Sequence, residues 1–164
     1  FELSTKPIIL NYKIIGRDAD LLKLRKFANY AFISVGQIKS AEIREKLFIK
    51  AKKYGFKIPS ICSPKSIISK NTKISEGTIV HHGSMINSGS EIGLNSIINS
   101  NATIEHNCKI GDFCHISTSV VINGDVKVEK KTFIGSGSII KNGVNIGKNL
   151  VIPMGSKIFK DLKK

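Results

Sequence analysis

From Ile68 to Ile158 every sixth residue is isoleucine or valine: Ile68, Ile74, Val80, Ile86, Ile92, Ile98, Ile104, Ile110, Ile116, Ile122, Val128, Ile134, Ile140, Ile146, Ile152 and Ile158. Two places before each stands a small or modest side chain, among them Thr78, Ser84, Ser96, Cys108, Cys114 and Val120. A helix repeats at 3.6 residues and a flat strand at 2, so neither alone demands a strict six. A unit of one short strand plus one corner does, with both marked positions pointing inward because they lie two apart on the strand. The corner position reads Asn71, Gly77, Gly83, Gly89, Asn95, Asn101 and Asn107, then, after a less regular middle, Gly137, Gly143, Asn149 and Gly155. Glycine and asparagine tolerate the positive φ that tight corners require. Period, β-branched interior and corner residues together predict a mainly β chain built on a parallel β-helix of hexapeptide repeats.

With the three-strand, 18-residue coil of known hexapeptide folds, residues 63–158 make about five stacked layers, roughly 25 Å tall at ~4.8 Å per layer. The position between the two inward residues points outward, and sorting it by 18 separates three faces. One carries Lys73, Glu91, Lys109, Lys127 and Asn145 and reads as solvated. The second carries Ile67, Met85, Thr103, Val121 and Ile139; the third carries Ile79, Ile97, His115, Phe133 and Val151. Two apolar faces and one polar face suit a homotrimer around a threefold axis.

Residues 1–62 have another texture. "AFISV" at 31–35 before Gly36 reads as a buried strand. Ser40 to Tyr54 reads as a helix with Ile43, Leu47, Ala51 and Tyr54 on one stripe and Gly55 as its stop. With "YKIIG" at 12–16 and the helical "ADLLKLRKFA" from Ala19, this predicts a small α/β unit. No G-x-G-x-x-G loop is present, so the expectation is an incomplete Rossmann-like domain. Residues 159–164 read as a basic C-terminal tail.

Composition narrows the partners. At 164 residues and 41% hydrophobic content, with no apolar run long enough to span a bilayer, the chain reads as a globular protein without membrane insertion. It starts at Phe1 rather than Met, the mark of a trimmed chain or a fragment. Cys62, Cys108 and Cys114 form neither a metal spacing nor an even disulfide set, which points to the cytoplasm and to no metal. The formal charge of +14 fits an anionic partner. Lysine is spread along the chain with no aromatic platform or nucleic-acid motif, so phosphorylated small molecules are expected rather than nucleic acid.

Several segments carry a more specific likeness: "IIGRDADLL" at 14–22, "ISVGQ" at 33–37 with "EIREKL" at 42–47, and above all "INSNATIEHNCKIGDFCHIS" at 98–117. Over nearly the whole chain they resemble the hexapeptide-repeat acyltransferases of the sialic acid O-acetyltransferase and bacillosamine-pathway UDP-amino-sugar N-acetyltransferase type. The resemblance implies a left-handed coil, against the usual right-handed rule for parallel crossovers, and acetyl-CoA bound between neighbouring subunits. It places His106 at the catalytic base, with Asn107 and Glu105 beside it. His115, Gly124 and Gly143 fall at the acetyl-CoA site, and Asn99 and Gly36 at the sugar or nucleotide-sugar. There are departures. The family's acidic residue after the catalytic histidine is Asn107 here, and its N-terminal strand with glycine loop and its Gly-Asn-Pro-Ala tail are missing, as in a trimmed chain.

Read without the resemblance, His106 is an exposed histidine next to a corner and His115 a satisfied histidine on an apolar face. With it, His106 can take a proton from an amine or hydroxyl attacking a thioester, since imidazole titrates near 6.5. Asn107 has a structural reading as a corner residue and a second as a hydrogen-bond partner of the imidazole, a role Glu105 could also fill. Cys108 and Cys114 point inward, which disfavours an acyl-cysteine route; His81 and His82 read as surface residues. The expected activity is acetyl transfer from acetyl-CoA to an amino group of a UDP-4-amino-sugar. Alternatives are O-acetylation of sialic-acid-like sugars and a non-catalytic trimeric scaffold.

Overall fold

In the computed structural model, which describes residues 8–163, seventeen two-residue strands from Ile61–Cys62 to Lys157–Ile158 wind into three parallel sheets of six, five and six strands. Register partners lie one 18-residue coil apart: Ile104 on Ile122, Ile110 on Val128, Ile116 on Ile134. The first sheet runs from Ile67–Ile68 to Lys157–Ile158, the second from Lys73–Ile74 to Asn145–Ile146, and the third from Ile61–Cys62 to Val151–Ile152. The ladder thus already begins at Ile61, ahead of residue 63. At the other end Leu162 bridges Ile146 and packs on the core, so part of the expected tail belongs to the coil.

The six-residue series fills the interior. From Val80 to Ile152 every member is at most 3% exposed, while Ile68, Ile74 and Ile158, at the open ends, are half-buried. Fully burying one such side chain contributes about 1.5–3 kcal/mol. The second inward column does different work. Thr78, Ser84, Ser90 and Thr132 donate their hydroxyls to Gly93, Asn99, Glu105 and Gly147 carbonyls at 2.6–2.8 Å, in each case 15 residues onward. Cys108 and Cys114 occupy the same column, with Sγ 3.1 Å from the Asn123 and Glu129 carbonyls. Where this column holds a small donor, it ties one coil to the next, which explains the preference for serine and threonine there; Ala102, Val120, Val126 and Val144 fill the same column without one.

Corners have positive φ at every sixth residue from Gly77 to Gly155, including the irregular middle: Phe113 (55°), Ser119 (56°), Asp125 (61°) and Lys131 (62°). Asn71 is the exception, lacking a positive φ. Phe113 adopts a conformation unfavourable for an L-residue, and packing against Phe48, ring centroids 5.7 Å apart at 83°, offsets the cost.

The segment before the coil departs from expectation, and a Rossmann-like domain is not confirmed. Ile8–Ile9 and Tyr12–Lys13 pair antiparallel. The stretch expected as helical from Ala19 forms a 3-10 turn, Asp18–Asp20, and one helical turn, Leu21–Leu24. "AFISV" is extended but not a strand, because the carbonyls of Ile33 and Val35 accept from the Arg44 guanidinium instead of from a neighbouring strand. The long helix is present, Glu42–Lys53, but buries Arg44, Phe48 and Ala51, while Ile43 is 51% exposed. Its stripe is rotated because Phe48 must reach Phe113 and Arg44 must reach Asn95 on the coil.

This unit forms a second small core of Ile33, Ala41, Phe48, Ala51, Phe56 and Ile58 with Phe113 of the coil. Lys131–Glu45 at 2.7 Å and Lys52–Glu76 at 2.8 Å join it to the coil. On the third sheet Ile97 (6%) and His115 (8%) are already buried within one chain. The first sheet stays open, with Ile67 62% and Ile139 43% exposed. The first sheet is therefore the less covered of the two apolar faces, with Met85, Thr103 and Val121 half-buried between those ends.

Candidate functional site

The residues singled out from the sequence fall into two groups on opposite sides of the prism. Each coil runs first sheet, corner, second sheet, corner, third sheet, so the corner joining the first two sheets lies opposite the third. His106, Asn107 and Glu105 sit at that corner, between Thr103–Ile104 and Lys109–Ile110. Gly124 lies one coil above His106, and Gly143 above Asp125, joined by a Gly143 N–H to Gly124 carbonyl bond of 2.9 Å. His115, Asn99 and Gly36 belong to the other side. Within one chain His106 and His115 are not brought together, and the glycines expected beside His115 lie beside His106.

At the first corner the imidazole of the exposed His106 lies against Gly124. A Cβ there would collide with the ring, first at Cε1 and Nε2. Glycine thus leaves room for the ring to lie there, and a side chain at this place would displace the imidazole. Nδ1 is 3.4 Å from Asn107 Nδ2, which also lies 3.2 Å from Asp125 Oδ1. A carboxylate only accepts, so Asp125 orients the amide with its NH2 end toward both groups, and the Asn107 N–H faces Nδ1 of the ring. Asn107 is also a left-handed corner residue (φ 58°), as the structural reading of it expects. Glu105 instead accepts from Asn87 Nδ2 at 2.8 Å and does not orient the imidazole. Asp125 was not singled out from the sequence; its signal was its place one full coil beyond Asn107.

On the other side His115 is held on several sides. Nδ1–H donates to the Gln37 carbonyl at 2.5 Å, Nε2 lies 3.4 Å from Asn99 Nδ2, and Phe133 meets the ring edge-on at 5.1 Å. Burial pushes its pKa below the usual histidine value; the Gln37 bond opposes this, and the Arg44 and His81 charges add to it. Ser117, one coil above Asn99, shares a 2.8 Å hydroxyl contact with Ser136. His81, one coil below Asn99, is half-buried, and burial followed by His82 lowers its pKa. It is less a surface residue than expected, whereas His82 is exposed and bonds Ser63 at 2.6 Å. Gly36 is exposed, with open space where a side chain would stand. Gln37, missed in the sequence, is the buried link between that loop and His115.

The thiols do not fit a nucleophile. Burial raises Cys108 and pushes Cys114 up to about 12, so neither supplies thiolate at neutral pH. No group of three or more His, Cys, Asp or Glu suited to a metal occurs among the described residues, and no described helix is long and apolar enough to cross a membrane. A shallow groove of about 560 Å³ lies along the polar sheet, lined by Lys73, Glu91, Lys109, Lys127 and Lys148, and holds none of the predicted site residues.

Comparison with known proteins bears on what these corners do. Residues 125–160 match the model of the hexapeptide repeat of succinyl-transferase. No curated relative matches the sequence. Among solved structures, PerB from Caulobacter crescentus in complex with CoA and GDP-perosamine is 30% identical with a TM-score of 0.90, over 96% of this chain and 75% of that one. The acetyltransferase domain of PglB from Neisseria gonorrhoeae, in complex with acetyl coenzyme A, shares the fold at 24% identity and a TM-score of 0.91, over 99% of this chain and 78% of that one. WeeI from Acinetobacter baumannii shares it at 23% and 0.78, over 98% and 76%. With a three-sided coil of unbroken six-residue period and nearly full-length likeness to PerB, the chain belongs to the hexapeptide-repeat family of acetyl-CoA-dependent sugar acetyltransferases.

Proposed function

We propose that the protein transfers acetyl from acetyl-CoA to the amino group of a nucleoside-diphosphate-linked amino-sugar of the UDP-4-amino-sugar type, with His106 as general base. The observation that carries this reading is the likeness to PerB, whose structure holds CoA and an amino-sugar on a nucleoside diphosphate. It also supports a left-handed coil and an N-terminal unit, residues 1–62, that contributes to the sugar-nucleotide site.

In the reaction the amine nitrogen attacks the thioester carbonyl carbon and loses its proton to His106. The tetrahedral oxyanion collapses, the carbon–sulfur bond breaks, and CoA leaves as the thiolate, which takes up a proton. Backbone N–H groups of the coil stabilise the oxyanion. Gly124 lets the imidazole lie flat on the coil. For Nε2 to accept a proton, Nδ1 must carry the ring's own proton, so the long Asn107 contact to Nδ1 opens before transfer. The two residue groups lie on opposite sides of one prism, so a complete site joins His106 of one copy to His115 of another. The open first sheet supports a homotrimer of this kind.

The test is CoA release on mixing the protein and acetyl-CoA with UDP-4-amino-sugars, GDP-4-amino-sugars, CMP-sialic acid or free sialic acid. Release with the UDP-amino-sugars alone supports the reading, and release with the GDP compounds alone moves the nucleotide specificity. Release with the sialic acids makes it an O-acetyltransferase, and none with any acceptor makes it a scaffold. A monomer in light scattering at micromolar concentration removes the shared site.

A further inference from the structure

The loop at 33–37 lies over the third sheet, and one side chain holds it there. Arg44, 1% exposed, donates from Nη1 to the Ile33 carbonyl at 2.9 Å and the Val35 carbonyl at 2.5 Å. From Nη2 it donates to the backbone carbonyl and Oδ1 of Asn95 at 3.0 and 2.8 Å, and Asn95 Nδ2 returns a bond to the Arg44 carbonyl at 3.3 Å. Asn95 is fully buried at a left-handed corner, φ 48°, so the anchor belongs to the coil itself. Two residues beyond Val35, Gln37 donates its side-chain N–H to the Phe113 carbonyl at 2.8 Å, and its own carbonyl accepts from Nδ1 of His115.

Arg44 forms none of the ion pairs among the described residues, so its charge is matched only by carbonyl and amide oxygens. Burying a cation without a carboxylate is unfavourable, and burial lowers its pKa to about 10, which still leaves it charged at neutral pH. For packing alone an apolar side chain would serve better. The planar fork, however, reaches two loop carbonyls and the coil corner at once, which a single ammonium cannot do.

We propose that Arg44 is a positioning residue for His115. By pinning the 33–37 loop to Asn95 it keeps the Gln37 carbonyl on Nδ1, so the neutral imidazole carries its proton there and presents the Nε2 lone pair, at the Asn99 edge, to an N–H or O–H donor of a bound ligand. The same loop carries Gly36, so one guanidinium sets the geometry of the loop expected at the sugar and of the histidine expected at acetyl-CoA. The functional half of this inference rests on the acetyl-transfer reading above; the tautomer half does not.

Selective nitrogen-15 labelling of histidine separates the two halves, because the chain has only 4 histidines and a His115→Gln variant assigns the signal. At pH 7.5 the His115 nitrogens of the native protein are expected to show one tautomer, protonated at Nδ1. In Arg44→Lys, which keeps the charge and loses the fork, the signal moves toward the tautomer mixture of a free imidazole, and kcat/KM for acetyl-CoA drops about tenfold. A folded Arg44→Lys with native tautomer overturns the proposal, even if its melting temperature falls. A changed tautomer with unchanged kcat/KM leaves Arg44 positioning a histidine that acetyl transfer does not use, and overturns the functional half. If Arg44→Lys does not fold, Asn95→Gly, which removes the Oδ1 partner at a backbone angle glycine accepts, is read against the same outcomes.

Discussion

His106 and His115 lie on the same coil, one at a corner and one on the third sheet, yet the protein treats them in opposite ways. His106 is exposed at a corner, held by one long contact from an amide and by the flat surface of Gly124. His115 is 8% exposed, held at Nδ1 by a carbonyl, contacted by Asn99 at Nε2, edged by Phe133 and covered by a loop from another part of the chain. One lies where reactants can reach it and is under-constrained. The other is finished within a single chain. Two histidines from one motif therefore divide into one open to solvent and one enclosed by its surroundings.

The largest effect that sharpens this contrast is expected for His106→Ala. Loss of a general base lowers kcat by about 10²–10⁴, while melting temperature and oligomeric state stay native because the side chain packs on no core. Near-native CoA release would remove His106 from the chemistry. Next is Gly124→Ala. The added methyl displaces the imidazole from the coil, and a misplacement of about 1 Å costs on the order of 10² in rate. The loss should fall on kcat, read by the same assay; an unchanged kcat would mean that the ring's observed position is not the working one.

A third variant exchanges polarity along the corner. Asn107→Asp combined with Asp125→Asn keeps the contact between positions 107 and 125, but puts an acceptor oxygen on Nδ1. It should raise kcat about tenfold, the low end of what a hydrogen bond to a charged group contributes. A fall would show that the amide's donated N–H is the productive arrangement.

The smallest expected effect concerns His115. Burial holds its pKa below the ordinary value, so as pH falls through about 6.5 the unfolded chain takes up the proton first and stability is lost. His81, shifted the same way, adds to this loss. Denaturant midpoints should show about 1 kcal/mol less stability at pH 5.5 than at pH 7.5, and a shallower slope in His115→Gln. Identical slopes would mean that the histidine is not desolvated.

Much of this was legible beforehand, for particular reasons. The strict period of Ile and Val located the interior and sorted the three faces residue by residue, because a solenoid repeats one local unit whose neighbours are fixed at 18 residues. Met85 and Thr103 could thus be placed on one sheet, and Lys109 and Lys127 on another, without coordinates. The corner at Phe113, Ser119, Asp125 and Lys131 was obscured by residue type, since stacking on the coils above and below imposes a positive φ that local preference would not choose. The N-terminal segment has no such period, and there the reading failed: "AFISV" looks like a strand, but the group that takes its carbonyls, Arg44, comes from the next element.

The amino-acid sequence by itself determined the coil, its interior and the column of each outward side chain, because those depend on contacts between residues a constant distance apart along the chain. Folding settled that Asp125 bonds the amide beside His106 while Glu105 turns to Asn87, that the long helix buries an arginine, and that Gln37 caps His115. The last two join groups whose separation along the chain follows no repeat and depend on how the N-terminal unit docks, while the first depends on how side chains at the corners share their hydrogen bonds.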